Sequence, residues 1–204
     1  MYLIFLDTET TGLNPQKHRT IDIAYKVFDS ITGKDVISYE SIVAQPDWVW
    51  AEADPQSLQF NGFKWEEILQ GKTEKSVASE ILNDFHHLNL AQKGGVFICQ
   101  NPSFDRCFLL QLIDAEMQEH YGWPYHWLDL ASMYWAARVL QNQECAKVFQ
   151  EHNLSKDEIA NHYGIAAEQL PHRAMNGVNH LIACYEAIFG KFAAHIHNNR
   201  FALD

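Results

Sequence analysis

The chain opens with an uninterrupted apolar run from Tyr2 to Leu6 that ends at Asp7. A half-exposed strand would alternate apolar and polar residues, so this run predicts a strand that is buried on both faces. A strand of that kind belongs in the interior of a sheet that carries helices on both sides. The opening residues therefore set the framework into which the rest of the chain must fit.

Two further β-rich runs follow, Thr20 to Phe28 and Asp35 to Ala44, joined by a polar turn that contains Gly33. Their short connections predict an antiparallel meander. The other predicted elements are strands at 95–99 and 125–128 and helices at 55–60, 65–69, 76–88, 103–118, 130–140, 155–163 and 174–189. This order predicts an α/β fold built on a mixed five-stranded sheet, with three antiparallel strands, then parallel strands, and helices on both faces.

The size and charge of the chain limit the classes of function that it can have. Its 204 residues favour a single domain over residues 1–190, followed by a polar tail at 191–204. With 26 acidic against 15 basic residues, the net charge is −11, which argues against a non-specific duplex binder. The same charge suits an enzyme that meets phosphate through a divalent metal ion. No stretch approaches the ~18 apolar residues of a membrane span, so we expect a cytoplasmic protein that has no membrane partner.

The segment Asp7-Thr8-Glu9-Thr10-Thr11-Gly12 is the first candidate site. If the strand continues past Leu6, Asp7 and Glu9 project on the same side, because side chains alternate along a strand. Two like charges at that range need a cation or a proton to neutralise them. A solvated turn explains the same residues equally well.

Two later segments have ordinary structural explanations when each is taken alone. In Gln100-Asn101-Pro102-Ser103-Phe104-Asp105, Asn101 and Ser103 are candidate helix caps, and Asp105 would lie in the first helical turn, where the macrodipole favours an acid. His172 precedes the last predicted helix, where a histidine serves as a cap, a core residue or a proton acceptor.

Taken together and in this order, the three segments resemble the DnaQ-like 3′–5′ exonucleases. The shared patterns are D-x-E-T-T-G after the first strand, N-x-x-F-D at the start of a helix, and a late H-R-A-x before a final helix. The resemblance spans about residues 1–190 and points to the DEDD group that uses a catalytic histidine. Polymerase proofreading subunits, RNase T and oligoribonuclease belong to this group, and its fold is RNase H-like.

The resemblance implies a role for each matching residue. Two Mg²⁺ or Mn²⁺ ions would be held by Asp7, Glu9 and Asp105, with His172 as the general base. The implied reaction releases nucleoside 5′-monophosphates from single-stranded or frayed 3′ ends of DNA or RNA, in a repair or replication setting. By position, Thr10 and Leu13 would contact the terminal nucleotide. A homodimer or a polymerase partner is also implied.

The chain departs from the family at one position. The family's last motif is H-x-x-x-x-D, and counting five residues from His172 reaches Gly177. In the family the aspartate of this motif is a metal ligand. Its absence should weaken metal binding at a site for two ions, because Mg²⁺ requires charged or strongly polar oxygen ligands. Three explanations stay open: the amide of Asn176 or Asn179 serves as a weaker ligand, the protein is a pseudo-exonuclease that binds nucleic acid or a partner protein, or the glycine is an altered residue. Asn-Gly also favours a turn, which would delay the final helix and displace His172.

Overall fold

A computed structural model describes residues 1–142 and 153–191. Five strands form one sheet: β1 Tyr2–Thr10, β2 Thr20–Asp29, β3 Asp35–Ile42, β4 Gly95–Cys99 and β5 Trp127–Asp129. The helices before β4 are α1 Asp47–Ala51, α2 Pro55–Asn61, α3 Trp65–Leu69, α4 Glu74–Leu88 and α5 Leu90–Lys93. Those after it are α6 Pro102–Leu112, α7 Ala115–His120, α8 Leu130–Asn142, α9 Lys156–His162 and α10 Ala174–Phe189.

The sheet has the strand order β3-β2-β1-β4-β5. β1 pairs antiparallel with β2 and parallel with β4, while β2–β3 is antiparallel and β4–β5 is parallel. The prediction of a mixed five-stranded sheet with three antiparallel strands is therefore confirmed. The first strand lies at the centre, as its apolar run requires.

β1 divides the interior into two cores. Tyr2, Ile4 and Leu6 pack with apolar residues of α4 and α6. Leu3 and Phe5 face the other way, into a core formed with α8, α9 and α10. Helices thus cover both faces of the sheet, as predicted, and the odd-numbered residues of β1 point toward α10.

Several predicted bounds need correction. β1 continues to Thr10, because its far end stays paired with β2 through Glu9 and Thr10. The single helix predicted at 103–118 is wrong: the backbone becomes extended at Ile113, and Asp114 accepts a hydrogen bond from the Met117 N–H to begin a new helix. A short helix, α1, was not predicted.

The predicted delay of the final helix is also wrong, since α10 begins at Ala174 and runs through Gly177. The tail predicted at 191–204 lies outside the described residues beyond 191, and the single-domain boundary stays a prediction. Over the two described stretches, no helix has both the length and the apolar character needed to cross a membrane.

Candidate active site

The extension of β1 places two carboxylates on one face of the sheet. Asp7 pairs with Ala24 and Glu9 with Asp22 on the neighbouring strand, so both backbones are fixed in extended geometry. Their side chains therefore project toward α10, on the same side as Leu3 and Phe5. The predicted juxtaposition of Asp7 and Glu9 is what the structure shows, and the alternative of a solvated turn is wrong.

Asp105 is buried in the first turn of α6, with only 3% of its surface exposed. The Thr8 hydroxyl donates a hydrogen bond of 2.8 Å to its Oδ1. Thr8 lies between Asp7 and Glu9 but points toward α6, so a single strand segment serves both sides of the site. Asn101 holds the cap position of α6 without a side-chain capping bond, and its Oδ1 instead accepts from the Ser103 hydroxyl at 2.6 Å.

His172 lies two residues before α10 and is half-buried. Its backbone N–H donates to the Phe60 carbonyl over 3.0 Å, which ties the loop to α2. The start of α10 is held by Asp22, whose Oδ2 accepts from the Ala174 N–H at 2.9 Å. Burial raises the pKa of Asp22 to about 6, although its bond to Ala174 acts in the opposite direction.

Gly177 lies on the buried stripe of α10, directly over Asp7. A Cβ atom at position 177 would lie 2.2 Å from Asp7 Oδ2 and 2.6 Å from its Cγ. Ordinary contacts are longer than 3.4 Å, so the Asp7 carboxylate fills the volume that any side chain at 177 would need. Glycine is therefore required for this close approach of helix and strand.

Sequence reasoning missed two charged residues of the site, Lys156 and Glu168. Lys156 Nζ lies 2.6 Å from Glu168 Oε2 and 3.5 Å from Asp7 Oδ1. The same atom is 3.5 Å from the carbonyl oxygen of Gly177. Lys156 is the first residue of α9 and Glu168 belongs to a loop, so neither lies in a recognisable motif. The absence of an acid at 177 was the available sequence signal, because a metal site without that acid needs another one nearby.

These side chains line one cavity of about 220 Å³. Its lining residues are Asp7, Thr8, Glu9, Gln100, Phe104, Asp105, Lys156, Glu168 and His172. Within it, ligand atoms of Glu9, Glu168 and His172 all lie within 4.8 Å of one another, which is a spacing that can hold a metal ion. The three motifs thus converge on one place, at the carboxyl ends of the parallel strands β1 and β4.

The electrostatics of the cavity show an excess of negative charge. Burial first, and then the neighbouring Asp7 and Glu168 charges, raise the pKa of Glu9 to about 9. Burial also raises the pKa of Asp7 to about 6, against the opposing effect of Lys156. The pKa of Asp105 is raised well above its usual value by burial and by Asp7. Such acids favour binding of a proton or a cation.

The predicted nucleotide contacts lie elsewhere. Thr10 is buried, its hydroxyl donates to the Gly12 carbonyl at 2.8 Å, and its own carbonyl accepts from the Asn61 side-chain amide at 3.1 Å, so both groups already have partners. Leu13 is 73% exposed in the loop after β1. Asn176 and Asn179 do not line the cavity with Asp7; they line a neighbouring cavity of about 320 Å³ on the other side of Glu168.

A family model described as "Exonuclease", of the RNase T type, matches residues 4–185 of the chain. The chain belongs to this exonuclease family. The match confirms the DnaQ-like family that the three motifs predicted. It covers all the site segments, from β1 through Gly177 and most of α10.

Solved structures of exonucleases share the fold. E. coli Exonuclease I in complex with a dT13 oligonucleotide has a TM-score of 0.71 and 18% identity over 93% of this chain and 41% of that one. The zinc ion bound form of the E. coli ExoI–ssDNA complex has a TM-score of 0.71 and 16% identity, covering 95% of this chain and 42% of that one. A 3′-exonuclease described as recognising the 3′ end of a histone mRNA stem-loop has a TM-score of 0.65 and 13% identity, and the match covers 94% of this chain and 65% of that one.

This exonuclease-family chain spans less than half the length of Exonuclease I. At these identities the structural likeness establishes the RNase H-like exonuclease fold. No curated protein matches the chain in sequence.

Proposed function

We propose that the chain is a metal-dependent 3′–5′ exonuclease that releases nucleoside 5′-monophosphates from single-stranded or frayed 3′ ends. The observation that carries the proposal is the convergence of Asp7, Glu9, Asp105 and His172, which come from three distant parts of the sequence, on one cavity. A protein that served only as a scaffold would have no use for such a costly cluster of buried acids.

The residues present fit a divalent cation. Asp7, Glu9 and Asp105 supply oxygen ligands of the kind that Mg²⁺ and Mn²⁺ take, and all three line one cavity. Burial raises the pKa of each of these carboxyls, and a bound cation would offset that effect by favouring the charged form. We propose that these three carboxylates hold the ion. When bound, it would polarise the phosphoryl oxygens and lower the pKa of a bound water molecule.

The protein's own groups supply the rest of the chemistry. His172 is the proton acceptor, because its ring lies within 4.8 Å of ligand atoms of Glu9 and Glu168, within reach of a water molecule between them. Asp22 and the Phe60 carbonyl fix the loop that carries this ring. The exposed Leu13 side chain would pack against the terminal base, while Thr10, bonded through its hydroxyl to the Gly12 carbonyl, would hold the loop that carries Leu13.

Single-stranded nucleic acid is the proposed substrate, and both DNA and RNA are candidates. Structural neighbours are described as bound to dT13 DNA and as recognising the 3′ end of an mRNA stem-loop. The acidic chain gains affinity for either phosphate backbone through the bound cation, which offsets the negative charge of the cavity.

A second candidate is a silent binding module that uses the same cavity. The observations that favour it are the absent side chain at Gly177 and the ammonium of Lys156 beside Asp7. Such a module would bind an oligonucleotide or a partner protein and would release no mononucleotide.

The test uses 5′-labelled single-stranded DNA and RNA of one sequence, incubated with the chain in Mg²⁺ and in Mn²⁺. The proposal expects labelled products that shorten one nucleotide at a time, with 5′-mononucleotides released. His172→Ala should abolish shortening, whereas the matched variant His87→Ala, on the exposed side of α4, should leave it unchanged. Binding without shortening would replace the proposal with the silent module, and shortening that survives His172→Ala would overturn the role of the histidine.

A further inference from the structure

Lys156 reaches into the acid cluster from the start of α9. Its side chain is only 13% exposed, and its Nζ stands between Glu168 Oε2 and Asp7 Oδ1. A permanent positive charge is therefore held inside the site.

The position of this charge leaves little room for a second metal ion. The two ions of a binuclear phosphodiesterase site lie about 3.5–4 Å apart, and Asp7 is the residue expected to bridge them. Lys156 Nζ lies 3.5 Å from Asp7 Oδ1, so its positive charge already stands beside the carboxylate that a second ion would need. Gly177 supplies no side-chain ligand that could draw another ion in.

Glu168 connects the ammonium to the remaining donors. Its side chain is 3% exposed, and its Oε2 accepts from Lys156 at 2.6 Å. Its Oε1 is buried and has no hydrogen-bond partner within residues 1–142 and 153–191. Because buried carboxylate oxygens are normally satisfied, this atom is a candidate ligand, and Glu168 already belongs to the close set of donors with Glu9 and His172.

We infer that the Lys156 ammonium takes the place of one of the two divalent ions of the family, and that Glu168 links this ammonium to the single ion proposed at Asp7, Glu9 and Asp105. This rests on the proposed function only in treating the cavity as the metal site. Glu168 then takes the role of the acid that is absent at 177. Glu168 comes from a different segment, so position 177 stays free for the close packing of α10 on Asp7.

The test measures Mn²⁺ binding to the full chain without nucleic acid, by electron paramagnetic resonance of free Mn²⁺ and by calorimetry. The expected stoichiometry is one ion per chain. Lys156→Ala removes the positive charge that stands beside Asp7 and Glu168, so a second ion can share these carboxylates and the stoichiometry should rise to two. Lys156→Arg keeps the charge and should stay at one, as should the matched control Lys72→Ala, which breaks an exposed ion pair with Glu80 far from the cavity.

A second variant tests Glu168 directly. Glu168→Gln should weaken Mn²⁺ binding at least tenfold, while Glu66→Gln on the exposed side of α3 should leave it unchanged. Circular dichroism checks that each variant is folded, and the wild-type stoichiometry tests the inference even where a variant fails to fold. Two ions on the wild type, or unaltered stoichiometry in a folded Lys156→Ala, would overturn it.

The outcome is separable from that of the proposed function. One bound ion with no nucleotide release would retain this inference and remove the exonuclease proposal. Nucleotide release by a chain that binds two ions would do the reverse.

Discussion

Gly177→Ala probes the tightest contact in the site with a single methyl group. The added Cβ would lie 2.2 Å from Asp7 Oδ2, so the carboxylate must move by more than about 1 Å to reach an ordinary contact. The β1 backbone resists movement, because Asp7 is paired with Ala24 of β2 and the residues from Tyr2 to Phe5 are also paired with β4. The movement therefore falls on the Asp7 side chain, which must leave its place beside Lys156.

A displacement of that size in a catalytic group costs about 100-fold in rate, which we expect as the loss in kcat for nucleotide release. Stability should change little, because alanine is favoured over glycine inside a helix by about 1 kcal/mol, and this gain offsets the strain at Asp7. The assay combines steady-state nucleotide release with urea unfolding. Asn176→Ala is the matched control, since that exposed neighbour on α10 points away from Asp7, and its kcat should be unchanged.

Two results would refute the reasoning. Full activity in Gly177→Ala would mean that α10 is not packed against Asp7 as the structure has it, or that Asp7 has no part in the reaction. A loss of several kcal/mol in the free energy of unfolding would mean that the contact is a general packing requirement, with no specific effect on the site.

Other expectations concern the supports and the charge of the site. At pH 4, where the raised pKa keeps the folded-state Asp22 carboxyl largely neutral, Asp22→Ala should lower the free energy of unfolding by about 1–2 kcal/mol in urea melts, because the Ala174 N–H loses its acceptor, and Asp22→Asn, which keeps an oxygen there, should lower it less. Without a bound metal ion, in EDTA, the pKa of Glu9 in the folded state is raised to about 9. The folded protein therefore keeps the Glu9 proton after the unfolded chain has lost it, and the free energy of unfolding falls as the pH rises from the unfolded-state pKa toward 9. Glu9→Gln should therefore be more stable than wild type by on the order of 3–5 kcal/mol at pH 8 and equal to it at pH 4, as measured by urea unfolding. An equal gain at both pH values, or the same gain in Glu66→Gln, would contradict the burial of the Glu9 charge.

Much of the fold could be predicted because the signals are local. The apolar run from Tyr2 to Leu6 and the helical spacing before β4 depend on burial patterns that the sequence displays directly. The errors lie where a single side chain or a tertiary contact determines the end of a helix or strand. The break at Ile113 depends on Asp114 capping α7, and the continuation of β1 to Thr10 depends on pairing with β2.

The site could be predicted only in part, for a related reason. Asp7, Glu9, Asp105 and His172 belong to ordered motifs, so their convergence followed from the resemblance, and the structure brings them to one cavity. Lys156 and Glu168 belong to no motif, and only the fold brings them to Asp7. The turn expected from Asn-Gly did not form, because Gly177 is buried against the sheet and the packing of α10 outweighs a local preference of about 1 kcal/mol.

Gly177, Lys156 and Glu168 belong together in the inferred site. With glycine at 177, α10 approaches β1 until the Asp7 carboxylate fills the space of a side chain. In the inferred site the acid that is absent from that helix is replaced by Glu168, whose Oε2 lies 2.6 Å from the ammonium of Lys156. An aspartate at 177 would meet the same 2.2 Å contact as an alanine and would add a like charge beside Asp7. Restoring the family's acid at that one position therefore cannot restore the family's site while α10 and Lys156 stay where they are.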